Sequence, residues 1–164
     1  KRGMSENSAL VKGVNRAWDA GLVVVVAAGN NGPRTMSITT PGISRKVITV
    51  GCSDDDREVL VGGNRMVDYS GRGPTAACIC KPDLVAPGCS VVSCAGRADK
   101  YTIKSGTSMS TPIVSGATAL LLERYPDMTN KDVKLKLRES CTDIGLPRNQ
   151  QGWGLLDVEK LVSK

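Results

Sequence analysis

Leu10, Val14, Ala17 and Trp18 recur at the three- and four-residue spacing that lines one face of a helix. Ser5 or Ser8 offers a cap and Gly21 a stop, so an amphipathic helix is predicted over 8–20. The pattern then changes. Leu22–Ala28 is an unbroken apolar run, rich in Val and bounded by glycines, as expected of a parallel strand buried on both faces. Helix, glycine and buried strand make half of a βαβ unit. A second strand is predicted at Val47–Val50. Farther on, the hydroxyl-rich turn Ser105-Gly106-Thr107-Ser108-Met109-Ser110-Thr111-Pro112 runs into the apolar, small-residue stretch Ile113–Leu122. That stretch reads as a buried helix with a serine at its mouth, Pro112 fitting a first turn that does not need its N–H. Thr129-Asn130-Lys131-Asp132 is a capping box opening a last long helix, with Val133, Leu137 and Cys141 on its inner side.

Two stretches have the makings of chemistry. At a helix start the first N–H groups lack intrahelical partners and the macrodipole is positive, so an oxygen that becomes anionic there is stabilised. Ser108 stands at such a place. Taken alone it is equally well read as a helix cap, the usual employment of Ser and Thr. Gly29-Asn30-Asn31-Gly32-Pro33 follows the first strand, at the carboxyl end where open α/β sheets place their sites, although it is also an ordinary turn.

Gly106-Thr107-Ser108-Met109-Ser110-Thr111-Pro112 resembles the nucleophile motif G-T-S-M-[AS]-[ST]-P of the subtilisin-like serine proteases. Ile113 departs from it, many members having a non-catalytic His there. The apolar strand ending in Ala27-Ala28-Gly29-Asn30 resembles the family strand whose final Asn donates to the oxyanion. Tyr69-Ser70-Gly71-Arg72-Gly73-Pro74, Lys81-Pro82-Asp83-Leu84-Val85-Ala86-Pro87-Gly88 and Gly152–Val158 resemble further family segments in the right order. The resemblance implies an α/β fold, an open, mostly parallel sheet with helices on both faces, truncated at its amino-terminal side. Residues 1–164 would form the carboxyl-terminal portion of one catalytic domain, in a serine endopeptidase acting through an acyl-enzyme. It implies Ser108 as nucleophile, Asn30 as oxyanion donor, and Ala27, Ala28, Gly29 and Thr39 as walls of the substrate pocket. It also implies a cis bond at Thr40–Pro41.

Composition narrows the function classes. A chain of 164 residues is one domain's worth, and 40% hydrophobic with 23% charged residues is ordinary for a globular protein. The net charge of +6 is scattered and only 3% of residues are aromatic, so neither a basic stripe nor stacking platforms point to nucleic acid. No apolar run reaches the roughly 18 residues of a membrane span, and no membrane partner is expected. No G-x-G-x-x-G or Walker pattern follows the first strand, and no S-x-x-K accompanies Lys104-Ser105-Gly106. There is no histidine anywhere. A seryl nucleophile normally needs an imidazole within reach. This chain alone is therefore expected to be inactive. The resemblance implies an upstream segment of the same catalytic domain as the partner that carries the Asp and His, and as a second parallel neighbour of the strand Leu22–Ala28, so that the edge left unpaired without it is expected to make the chain self-associate; peptides or proteins would be the substrates. A degenerate scaffold with a binding role is the alternative.

No cofactor is required for this chemistry and no metal ligands are assigned. Structural calcium in the full-length protein stays open, with no site identifiable in this chain; Asp54-Asp55-Asp56 reads as a solvated turn. The six cysteines, at 52, 78, 80, 89, 94 and 141, show no C-x₂-C pair and read mainly as buried thiols, with Cys52, Cys89 and Cys94 in strand-like contexts. Such usage leans intracellular whereas the family leans towards secretion, leaving the compartment unassigned.

Overall fold

The computed structural model describes residues 6–96 and 100–163. The first helix, α1, spans Ala9–Asp19, and its N-cap is Ser8, whose hydroxyl accepts from Val11 N–H at 3.3 Å. Ser5, the other candidate cap, lies outside the described residues. The buried stripe differs by one position from the expected one: Val11 and Trp18 are buried with Val14 between them, whereas Leu10 is 62% exposed. Val11 joins Ala28, Ile38 and Ile43 in a small cluster of their own.

The run after α1 yields a shorter strand than its composition suggests, β1 at Val25–Ala27, and Leu22 is 60% exposed. Backbone pairing explains the difference. β1 (Val25–Ala27), β2 (Ile48–Cys52) and β5 (Leu84–Ala86) form a parallel sheet in the order β1-β2-β5, with Val25 opposite Ile48 and Val50 opposite Leu84. Among the described residues β1 is thus paired on one side only, and its residues are half-buried where those of β2 are fully buried. The far edge of β5 is covered by the closing segment: Val85 N–H donates to Gly154 C=O and Leu156 N–H to Val85 C=O. Two antiparallel hairpins complete the strands, β3–β4 (Val59–Val61 and Asn64–Met66) and β6–β7 (Val91–Cys94 and Tyr101–Lys104).

Helix α2 (Thr107–Arg124) lies across β1, β2 and β5, burying Val114, Ala117 and Leu121 against Val50, Leu84 and Ala86. Each fully buried Val or Leu contributes about 1.5–3 kcal/mol, so α2 is fixed by packing along its length. Behind it stand α3 (Asn130–Ser140) and α5 (Val158–Val162), while α4 (Arg148–Gln151) is a single turn. The capping box at α3 is formed on both sides: Thr129 Oγ1 accepts from Asp132 N–H, and the Asp132 carboxylate accepts from Thr129 N–H. Val133 and Leu137 are fully buried and Cys141 is the half-buried C-cap.

Two polar clusters went unseen in the sequence. Lys81, 1% exposed, donates to Val47 C=O and to Asp83 Oδ2, which also accepts from Thr49 N–H. Burial lowers the Lys81 pKa to about 8 although Asp83 pulls the other way. Removing one member of a buried pair strands the other, at a cost of about 3–5 kcal/mol. Asp83→Asn in the full-length protein should therefore lose about that much in urea unfolding at neutral pH, and a loss below about 1 kcal/mol would contradict a structural role for the pair. The second cluster corrects the solvated-turn expectation. Asp55 is buried and accepts from Ser70 N–H at 2.7 Å, and Asp54 Oδ1 accepts from Gly88 N–H at 2.7 Å and Cys89 N–H at 3.1 Å. These carboxylates satisfy backbone donors of facing loops, and only Asp56 turns to solvent.

The cysteines divide differently from expectation. All six are free thiols, but Cys78, Cys80 and Cys94 are exposed and only Cys52 is fully buried. Cys94 ends β6, a hairpin strand outside the parallel sheet, so its strand context does not bury it. Burial pushes Cys141 up to about 12, helped by the Asp157 charge, and raises Cys52 further.

Candidate active site

Three segments meet at the carboxyl end of β1: the turn leaving the strand, the loop containing Thr39 and the head of α2. The first two are joined at Ala28, whose carbonyl accepts from Thr39 N–H at 2.9 Å and Thr39 Oγ1 at 3.3 Å. Gly29 faces Thr39 so closely that an added Cβ would sit 2.2 Å from Thr39 Oγ1. Gly29, at φ 96°, is thus fixed by backbone conformation and by contact. Gly42 packs on Ala27 in the same way, an added Cβ lying 2.9 Å from the Ala27 carbonyl oxygen. Ala27, Ala28, Gly29 and Thr39 therefore lie together. Ala28, however, directs its methyl into the cluster with Val11, Ile38 and Ile43 and offers the site only backbone. Thr40–Pro41 is cis.

The turn after β1 is braced from below. Gly71 N–H donates to Gly29 C=O at 2.8 Å and Gly32 N–H to Tyr69 C=O at 2.8 Å. The Tyr69–Pro74 turn thus holds the backbone on which Asn30 stands.

Asn30 and the head of α2 are joined through Thr107. Asn30 Oδ1 accepts from Thr107 N–H and from Thr107 Oγ1, each at 3.0 Å, and Thr107 Oγ1 accepts from Gly29 N–H at 3.2 Å. Thr107 is fully buried in this exchange. An amide whose carbonyl is occupied on both lone pairs has its NH₂ group left as donor. Asn30 Nδ2 has no hydrogen bond among the described residues, and an added Cβ at Gly106 would lie 3.2 Å from it. Gly106 at φ 136° also adopts a conformation that side chains avoid, so a larger residue there is excluded twice. Gly106 N–H in turn donates to Gly88 C=O at 2.9 Å.

Ser108 is exposed, one residue beyond that lock. The two readings left open for it now separate. The N-cap of α2 is Gly106, with no side-chain cap bond, so Ser108 is the second helical residue and caps nothing. Its N–H belongs to the first turn, without intrahelical acceptor and at the positive end of the dipole. Pro112 is the sixth helical residue and not part of the first turn, because the helix begins as early as Thr107. Lacking an N–H, it leaves the Ser108 carbonyl without its i+4 donor.

Thr107 and the Gly88–Gly106 contact were missed by sequence reasoning. The only signal for Thr107 was its place between Gly106 and Ser108, which does not say where its hydroxyl goes.

The scaffold is subtilisin-like, and known proteins bear this out. A solved structure titled "Structure of Prenylagaramide maturation protease PagA" superposes with a TM-score of 0.71 at 25% identity, covering 93% of this chain and 54% of that one. The Subtilase family model matches residues 1–154, and the chain belongs to that family. Among curated relatives, serine protease AprX of Bacillus subtilis (strain 168) is 42% identical over 147 residues, 82% of this chain and 33% of AprX. Subtilisin DY of Bacillus licheniformis is 35% identical over 159 residues, 96% of this chain and 53% of the relative. The chain thus spans between a third and about half of the length of these two relatives.

Proposed function

We propose that the protein containing this chain is a serine endopeptidase acting by acyl transfer. The observation that carries the reading is the pinning of Asn30 by Thr107, which leaves an amide donor beside the helix mouth where Ser108 stands. Ser108 Oγ attacks the scissile carbonyl carbon, and the carbonyl oxygen becomes an oxyanion held by Asn30 Nδ2 and the Ser108 N–H. Collapse expels the amine and leaves an acyl-Ser108 ester, which water hydrolyses with the same two donors in use. The donors are set before substrate arrives, which is where electrostatic stabilisation gains most. Gly29, Thr39 and the Ala27–Ala28 backbone wall the pocket for the substrate side chain ahead of the scissile bond.

The proton of Ser108 needs an acceptor, and no imidazole occurs in these 164 residues. The base and its orienting carboxylate come from another segment of the catalytic domain, for which the side of β1 left unpaired among the described residues is the natural docking edge. The isolated chain accordingly lacks protease activity. The test is inactivation of the full-length protein by a fluorophosphonate during cleavage of an unfolded protein substrate. Loss of activity in step with one equivalent of label is expected; cleavage that persists in the fully labelled protein, or binding of peptides without cleavage, would overturn the reading in favour of a different mechanism or a degenerate scaffold.

A further inference from the structure

The end of β2 and the loop after β5 bring together a cysteine pair and a carboxylate that the proposed chemistry does not use. Cys52 Sγ, Cys89 Sγ and an Asp54 carboxylate oxygen all lie within 4.8 Å of one another. We propose that these three groups form a binding site for a thiophilic divalent cation, Zn²⁺ or Cd²⁺.

Zinc sits about 2.3 Å from thiolate sulfur and about 2.0–2.2 Å from carboxylate oxygen, so ligand atoms at this separation need only small rotations to share one ion. The framework that presents them is rigid: Cys52 is on β2 opposite Ala86 of β5, and Cys89 follows β5 by three residues. Asp54 is oriented in advance, Oδ1 accepting from Gly88 N–H, Cys89 N–H and the Cys52 thiol, the last at 3.1 Å. Tyr69, fully buried, places its hydroxyl 3.2 Å from each sulfur and donates to Gly88 C=O at 3.3 Å while the sulfurs are thiols; once they are thiolates, its one proton can turn from that carbonyl to a sulfur. Such an outer hydrogen bond supports ligating groups in metal sites generally.

An independent observation marks the same place. Ser110 Oγ is completely buried and has no hydrogen-bond partner among the described residues. A Cβ built on Gly88 would lie 2.3 Å from Ser110 Oγ and 2.9 Å from Cys52 Sγ, so hydroxyl and thiol border one small space. Two cysteines serving only as small apolar side chains would not explain the orphaned hydroxyl beside them. Three protein ligands leave a fourth coordination position for water or for that hydroxyl. Binding releases the two thiol protons to solvent and puts a dication against two thiolates and a carboxylate. Thiolate donors favour zinc or cadmium over calcium and magnesium, which take oxygen ligands.

The test uses the full-length protein with Cys78, Cys80 and Cys94 replaced by Ala, titrated with Cd²⁺ under a non-thiol reductant. A sulfur-to-cadmium charge-transfer band saturating at one equivalent is expected. Cys52→Ala and Cys89→Ala should each weaken binding at least about 100-fold, and Asp54→Asn about 10–100-fold. A second measurement needs no site variant: in the same protein, Cd²⁺ should protect Cys89 and Cys52 from alkylation, read by peptide mapping. Alkylation of both residues at unchanged rates in saturating Cd²⁺ would overturn the proposal, as would a band that survives both substitutions. Neither readout involves catalysis, so the outcome is independent of the proposed protease activity.

Discussion

Ser108→Ala in the full-length protein is expected to abolish labelling by a fluorophosphonate and to lower kcat on peptides by about 10⁶-fold, the size of loss measured on nucleophile removal in subtilisin, from the same family. The expectation rests on where α2 starts. Gly106 caps the helix without a side chain, so the Ser108 hydroxyl has no structural employment that alanine would forfeit. Alanine is also the best helix former, so the variant should fold with undiminished stability. A large activity loss without a stability loss separates a nucleophile from a cap: the cap reading predicts about 1 kcal/mol of destabilisation and little change in turnover. Normal turnover by the Ser108→Ala protein would remove Ser108 from the chemistry.

Asn30→Leu should lower kcat by about 10²–10³ with little change in KM, a magnitude borrowed from loss of one such donor in this family. KM is spared because the amide meets charge that develops only in the transition state. Leucine, however, also removes the acceptor for Thr107 N–H and Oγ1, so part of its effect could pass through the helix head. Asn30→Asp separates the two. It keeps an oxygen for Thr107 while replacing the amide donor by an anion, so it should keep stability and lose at least as much kcat as leucine. If Asn30→Asp retained wild-type kcat, the amide would be a structural brace alone.

Much of the architecture was legible in the residues. The α1 and α3 caps follow from short-range rules in which a Ser, Thr or Asp side chain meets a backbone N–H three residues away, and such contacts need no knowledge of the fold. The Val-rich run and the small-residue helix were legible because burial leaves a composition signal. The length of β1 was not, since it depends on which neighbours pair with it, and only β2 does so among the described residues. The β3–β4 hairpin hid for a related reason: its strands are three residues each and largely exposed, and its Gly62-Gly63 turn was the one local cue.

In the site, Ser108 and Asn30 were found as separate residues, but their connection is a contact across 77 positions made by Thr107. No local pattern encodes that distance. The same holds for Lys81 with Asp83, two charges either side of Pro82 whose burial depends on how the sheet packs over them. Asp54 and Asp55 misled in the opposite direction. A run of acidic residues is usually solvated, and here the facing loops supply backbone donors to two of the three, burying Asp55 and half-burying Asp54.

The central claim is that the head of α2 presents Ser108 as a nucleophile beside the Asn30 amide. Its most direct test is to locate the adduct by mass spectrometry after the active full-length protein has been inactivated with one equivalent of fluorophosphonate. A single phosphonylated residue at Ser108 is predicted, with the adduct forming much more slowly in Asn30→Asp. An adduct on any other residue of the inactivated protein would contradict the account.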